Sequence, residues 1–125
     1  MKNRPQELTK AELEIMQIIW KKEKVLVHDI LAEFPEPKPA YNTVSTIVRI
    51  LENKGFVSHK AYGRTYEYFP AVAKEDYTNS YMKNVLNNFF DGSVSRMVNF
   101  FSAQKSISLE ETDEILKILN GERGA

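Results

Sequence analysis

Residues 41–54 carry two opposed stripes, and no other segment of the chain restricts the fold as much. Val44, Ile47, Val48 and Leu51 recur at i, i+3, i+4 and i+7, the period of one face of an α-helix. Asn42, Ser45, Thr46 and Arg49 repeat that spacing two residues earlier. Two residues rotate a helix by about 200°, so the second set looks almost directly away from the first. The pattern predicts a helix over Tyr41–Lys54, aliphatic inside and furnished outside with short hydrogen-bonding groups and one guanidinium. Gly55 stands where a C′ glycine would end it.

Two helices are predicted ahead of it, the second a short one. Leu8-Thr9-Lys10-Ala11-Glu12-Leu13 has the form of a helix start: Thr9 and Glu12 are spaced as a capping box, and Leu8 and Leu13 as a hydrophobic staple. Leu13, Met16 and Trp20 then mark a buried stripe, which Ile15 and Ile19 widen. Lys21-Lys22-Glu23-Lys24 reads as a solvated connection. Val27, Ile30, Leu31 and Phe34 give the second helix its inner face, without a polar N-cap because Leu26 occupies that place. Pro35, Pro37 and Pro39 stop it. After Gly55, two runs rich in aromatic and β-branched residues flank Gly63, and Pro70 closes the second, which describes a β-hairpin.

The rest of the chain reads as helical. Lys74 to Asp91 carries Tyr77, Tyr81, Leu86 and Phe90; Ser93 to Phe101 shows Val94, Met97, Val98 and Phe101 at i, i+3, i+4 and i+7. Ser108-x-x-Glu111 is a second capping box, opening a helix with Ile115, Leu116 and Leu119 that stops at Asn120-Gly121. Aromatics at helical spacing read as core or as the seam of a dimer.

Composition narrows the chemistry. Cysteine is absent from the 125 residues, which removes disulfides, thiolate zinc sites and iron–sulfur clusters. His28 and His59 are the only histidines, and His28-Asp29 are helix neighbours that point about 100° apart. With no G-x-S-x-G, H-E-x-x-H or glycine-rich phosphate loop, no enzyme, metal site or cofactor is expected. Met1 to Lys10 is polar and no apolar run approaches the ~20 residues of a membrane span, so a cytoplasmic chain without membrane insertion is expected. The formal net charge is zero, yet residues 1–73 hold 11 Lys/Arg against 9 Asp/Glu, whereas residues 74–125 hold 6 against 8. The slightly basic half is the one with the two-striped helix.

Three helices followed by a glycine-turned hairpin, the third helix carrying small polar groups outside, describe a winged helix-turn-helix. The predicted fold is mainly α with a small β-hairpin wing: a winged-helix DNA-binding domain over 1–73 and a helical domain over 74–125. Asn, Ser, Thr and Arg can bond base edges and phosphates and are short enough to let a helix sit deep in the major groove. Arg49 offers a bidentate fork to guanine or a phosphate clamp, while Lys60 and Arg64 flank the hairpin tip, where a wing would meet the sugar-phosphate backbone. Two other readings use the same elements. One is a winged-helix module whose third helix binds a protein; the other is a regulator gated by a ligand among the aromatic residues of the C-terminal region.

Leu8-Thr9-x-Ala11-Glu12-Leu13-x-x-Met16-x-x-x-Trp20, then Ala40-Tyr41-Asn42-Thr43-Val44-x-Thr46-x-x-Arg49-x-Leu51-x-x-Lys54-Gly55, then Gly63-Arg64-x-Tyr66-x-Tyr68-x-Pro70, together resemble the penicillinase/methicillin-resistance repressor family (BlaI/MecI/CopY-type winged-helix regulators). The resemblance spans nearly the whole chain. It implies a homodimeric transcriptional repressor on double-stranded operator DNA of inverted-repeat form. Tyr41, Asn42, Thr43, Ser45, Thr46 and Arg49 would lie toward DNA on the recognition helix, with Lys60 and Arg64 on the wing. It further implies a three-helix dimerisation domain over about 74–121, with Tyr77, Tyr81, Leu86, Phe90, Val94, Met97, Val98, Phe101, Ile115, Leu116 and Leu119 in its seam. In the penicillinase branch a membrane-bound sensor protease triggers cleavage between an Asn and a Phe of the second dimerisation helix, and Asn99-Phe100 occupies the matching place. Two departures stand out. The cysteine cluster of the copper-responsive branch is missing, which excludes thiolate copper sensing, and Ala40-Tyr41 replaces the frequent Ser-Pro at the recognition-helix start.

Overall fold

The computed structural model describes residues 7–105 and 107–119, the side chains of Leu116 and Leu119 apart; the expected stop at Asn120-Gly121 lies outside the described residues. The chain divides after Tyr81 into two compact units.

The first unit holds α1 (Lys10–Lys22), α2 (Val27–Ala32), α3 (Tyr41–Asn53), the strands β1 (Val57–Tyr62) and β2 (Thr65–Pro70), and the opening turns of α4 (Lys74–Phe89). Each boundary has a local cause. The Thr9 N–H donates to Glu12 Oε1 at 2.9 Å and the Glu12 N–H to Thr9 Oγ1 at 3.2 Å, a complete capping box. At α2, Leu26 has no side-chain acceptor to offer, but Asp29 reaches back to accept the Leu26 N–H at 2.9 Å. The helix ends at Ala32, short of Phe34, and Lys38 Nζ donates to the Phe34 carbonyl at 2.6 Å and the Leu31 carbonyl at 3.3 Å. A cation there satisfies acceptors left free at a helix C-terminus. At the end of α3 the Phe56 N–H reaches the Leu51 carbonyl at 2.9 Å and the Gly55 N–H the Glu52 carbonyl at 3.0 Å. Those two bonds with Gly55 at φ +88° make a Schellman motif, and its apolar partners Leu51 and Phe56 are both buried.

The core gathers the inner stripes. Ile15, Met16 and Ile19 of α1, Ile30 of α2, and Val44, Val48 and Leu51 of α3 are buried, joined by Phe56, Val57 and Tyr68 from the hairpin. Burying an aliphatic side chain of this size contributes about 1.5–3 kcal/mol before chain entropy is set against it. The aliphatic row on α3 is therefore what fixes that helix in rotation, and it leaves the polar row facing out.

β1 and β2 pair antiparallel with Tyr62 opposite Thr65, leaving Gly63 and Arg64 as a two-residue loop. Gly63 has φ +64° and Arg64 does not enter the positive region, the pattern of a type II′ turn. Arg64 thus sits in the loop itself, at the tip of the wing. A further bridge extends the sheet: the Val25 N–H donates to the Tyr68 carbonyl at 2.9 Å and the Tyr68 N–H to the Val25 carbonyl at 2.7 Å. The end of the segment between α1 and α2 is therefore stitched to β2, where charge patterning alone suggests a plain solvated connection.

Tyr77, which the family resemblance puts in a dimer seam, is buried within the first unit. It is 7% exposed in the first unit, lying against Trp20 and Phe56 at ring-centroid distances of 6.1 and 5.6 Å. Its hydroxyl accepts the Leu8 N–H at 3.0 Å, and Trp20 Nε1 donates to the Val72 carbonyl at 2.8 Å. The opening of α4 is thereby part of the winged-helix core, through the Tyr77 ring against Trp20 and Phe56.

The second unit contains the remainder of α4, then α5 (Val94–Ala103) and α6 (Leu109–Leu119). Ser93 Oγ caps α5 by accepting the Arg96 N–H at 3.1 Å, and Ser108 and Glu111 close a reciprocal capping box at 3.0 and 3.2 Å. Among the described residues no helix is long and apolar enough to cross a membrane.

Candidate nucleic-acid interface

The outer row of α3 is open. Tyr41, Asn42, Thr43, Thr46 and Arg49 are exposed and Ser45 is half-buried, whereas Val44, Val48 and Leu51 lie in the core. A groove of about 490 Å³ runs beside that row, between the start of α2, α3 and the wing. Tyr41, Ser45 and Arg49 line it from α3, His28 from α2, and Arg64 and Tyr66 from the hairpin. Two guanidiniums face this space, and no carboxylate lies among the residues that line it.

The expected contact residues divide into three places. Tyr41, Ser45, Arg49 and Arg64 are brought together in the groove. Asn42 and Thr46 stand on the exposed helix surface next to it, while Thr43 turns toward the other flank, beside Ala11, Glu14 and Pro39. Lys60 lies on the wing with its ammonium 5.4 Å over the Tyr62 ring, outside the groove. Ala40 gives α3 no side-chain cap.

Several groove residues were not legible as such. His28 lies against Tyr41, with ring centroids 4.7 Å apart and the planes tilted by 40°. Tyr66 lines the groove and lies flat against His59 at 4.1 Å and 13°. His59 Nδ1 is 2.6 Å from Glu52 Oε2, so the second half of α3 is tied to the inner face of the wing. Alternation along the strands hints at His59, Tyr66 and Tyr68 sharing a face, but nothing local names Glu52 as their partner. Tyr68 reports the same neighbourhood. Burial raises its phenol above the usual range, the Glu52 carboxylate adds to that, and the Arg49 guanidinium opposes it.

A three-helix unit with a wing, an open polar row and a two-arginine groove is the arrangement suggested by the quoted motifs, and comparison with known proteins decides the family. A family model described as the penicillinase repressor matches residues 8–121. The chain belongs to the penicillinase repressor family. It is 32% identical over 120 residues to the penicillinase repressor of Bacillus licheniformis, covering 95% of this chain and 93% of that one. It is 30% identical over 121 residues to the methicillin resistance regulatory protein MecI of Staphylococcus aureus (strain N315), covering 96% and 98%. Among solved structures, the DNA binding domain of the repressor BlaI superposes with a TM-score of 0.51 at 32% identity, covering 62% of this chain and 94% of that domain. This member of the penicillinase repressor family is a transcriptional repressor and not an enzyme.

The second unit of this repressor leaves apolar side chains uncovered. No described residue of α5 is buried, Val94, Phe100 and Phe101 are exposed, and Met97 and Val98 are half-buried. Tyr81 at the end of the first unit is exposed too; Leu86, Phe90 and Ile115 are half-buried, and the side chains of Leu116 and Leu119 lie outside the described residues. Phe89 and Ile118 are 76% and 66% exposed. Asn99 and Phe100 both lie within α5 with exposed side chains.

Proposed function

We propose that this repressor acts as a homodimer on inverted-repeat operator DNA, with α3 in the major groove and the wing against the adjoining backbone. One observation carries the reading: the exposed row of Asn42, Thr46 and Arg49 lies beside a groove that joins Arg49 to Arg64 without an intervening carboxylate. Asn42 and Thr46 have the donors and acceptors for base edges; Arg49 can fork onto guanine or clamp a phosphate. Arg64 and Lys60 supply sugar-phosphate contacts from the wing, and Tyr41, Thr43 and Ser45 complete the surface at the start of the helix. BlaI, whose DNA binding domain this chain resembles, is named as a repressor, which supports the same assignment.

The dimer is proposed on the apolar faces of α5 and α6. Exposed Val94, Phe100 and Phe101 need a cover, and a second copy of the chain supplies one of matching character. Two recognition helices in such a dimer would enter successive major-groove turns about 34 Å apart. Relief of repression is proposed to follow cleavage between Asn99 and Phe100 by a protease under the control of a membrane-bound sensor, because a break within α5 would divide the face that holds the dimer.

Selection from random-sequence duplex by the purified full chain tests the reading. The expected product is an inverted repeat with half-sites about one helical turn apart. Enriched sites without symmetry would remove the dimer, and no enrichment would remove the DNA.

A further inference from the structure

We propose that Glu52, His59 and Tyr66 form a proton-sensitive brace between the recognition helix and the wing, so that binding to DNA takes up a proton at His59. The inference rests on the DNA-binding reading above and adds a control to it.

The geometry is specific. Glu52 on α3 and His59 on β1 meet at 2.6 Å, with both side chains roughly 70% removed from solvent, at relative exposures of 30% and 29%. The other side of the imidazole is closed by Tyr66 of β2, stacked at 4.1 Å, and Tyr68 of β2 flanks it at 5.7 Å. Tyr66 is at the same time a wall of the groove shared with Arg49 and Arg64. One ring therefore connects the helix that reads DNA to the strand that carries the wing tip.

Charge gives the sign. The groups that face His59 are the Glu52 carboxylate from α3 and the Tyr66 and Tyr68 rings from β2, with Arg49 one turn before Glu52. Lys60 and Glu67 pair across the hairpin at the neighbouring position, and alternation along the strands turns them to the opposite face. With His59 neutral, Glu52 presents a negative charge beside the groove that would receive phosphates. With His59 protonated, the pair is neutral overall and the charge-assisted bond holds the wing to α3 more firmly. A duplex brings a strong negative potential to this surface, and it favours the protonated form. By linkage, the protonated form must then bind DNA more tightly. Histidine is the side chain whose charge ordinarily changes across physiological pH.

The test measures affinity of the full chain for a duplex recovered by the random-sequence selection, by fluorescence anisotropy at about pH 6 and about pH 8 and constant ionic strength. The wild-type chain should bind about fivefold more tightly at the lower pH. His59→Gln should abolish that ratio, whereas His28→Gln, which alters a groove residue and so changes affinity at both pH values, should still bind more tightly at the lower pH. Glu52→Gln should bind at the higher pH as tightly as wild type does at the lower, since the unwanted charge is gone. That variant keeps the test decisive if His59→Gln fails to fold, because a purely structural role for Glu52 predicts weaker binding at both pH values. Equal wild-type affinity at both pH values, a ratio that survives His59→Gln, or a ratio lost only in His28→Gln would overturn the brace alone. Absence of binding at either pH would overturn the DNA-binding reading as well.

Discussion

Lys54 Nζ lies 2.8 Å from Glu12 Oε1 and 3.0 Å from Oε2, joining the C-cap of α3 to the first turn of α1. Glu12 is the one described buried charged residue of the core, at 6% exposure, and its carboxylate also accepts the Thr9 N–H. Burial by itself would raise its pKa; the bonds from Lys54 and Thr9 and the ammonium charge outweigh that and hold it below the usual carboxylate range. The pair fixes α3 against α1 at the end away from the groove.

Lys54→Met should therefore destabilise the chain by about 2 kcal/mol, less than a fully buried pair because the lysine is partly exposed. The pH dependence has a definite sign. A carboxyl whose folded-state pKa is depressed stabilises the fold above its unfolded pKa, and that stability is lost as pH falls through the folded value. Urea unfolding of wild type and Lys54→Met should show the full difference near pH 7 and a diminishing one below about pH 4. A difference that does not shrink in acid would remove the ion pair as its source.

Tyr77→Phe keeps the ring against Trp20 and Phe56 and deletes the acceptor of the Leu8 N–H. About 1 kcal/mol of stability should be lost, read from denaturant unfolding, with the dimer dissociation constant unchanged. The reverse outcome, a weaker dimer of unchanged stability, would put Tyr77 in the seam that the family resemblance implies.

Phe101→Asp should shift sedimentation of the full chain from the proposed dimer to monomer. A carboxylate carried into a desolvated seam costs several kcal/mol, enough for a change of more than a hundredfold in the dissociation constant. A dimer that persists with wild-type affinity would mean that the exposed face of α5 is not the one a partner covers.

Features settled by neighbours in the chain were legible from the residues alone. Thr9 and Glu12 are three apart and Gly55 stands four residues after Leu51, so the start of α1 and the end of α3 needed no tertiary information, whereas Lys21 and Lys22 complete α1 instead of opening the connection after it. The two stripes of α3 likewise fixed which side faces outward. What stayed hidden depends on distant partners. Val25 becomes part of the sheet only because Tyr68 is presented to it, and Glu52 becomes a wing anchor only because the hairpin folds back over α3. Tyr77 shows the same limit from another side: helical spacing marks an apolar ring without saying whether the first unit or a second copy will bury it. At the interface, the period placed Tyr41, Ser45 and Arg49 outside, but the turn of the chain that puts Arg64 at the wing tip across from them is a property of the hairpin register.

Arg49→Ala and Arg64→Ala should separate reading from holding. If Arg49 forks onto a guanine, its loss should cost about 1–3 kcal/mol on the selected duplex and relax the preference at one base pair. Arg64→Ala should weaken binding evenly across sequences and reduce the slope of log affinity against log salt by about one. Equal effects of both variants on every sequence would assign Arg49 to the phosphates too.

The most direct measurement is amide chemical-shift mapping of the full chain titrated with its selected duplex. Large shifts should appear at Tyr41, Asn42, Ser45, Thr46 and Arg49 and at Gly63 and Arg64, while Gln17 and Lys21 on the exposed side of α1 stay in place. Shifts concentrated on α1 or α4, with the outer row of α3 unmoved, would contradict the assignment of that row to DNA.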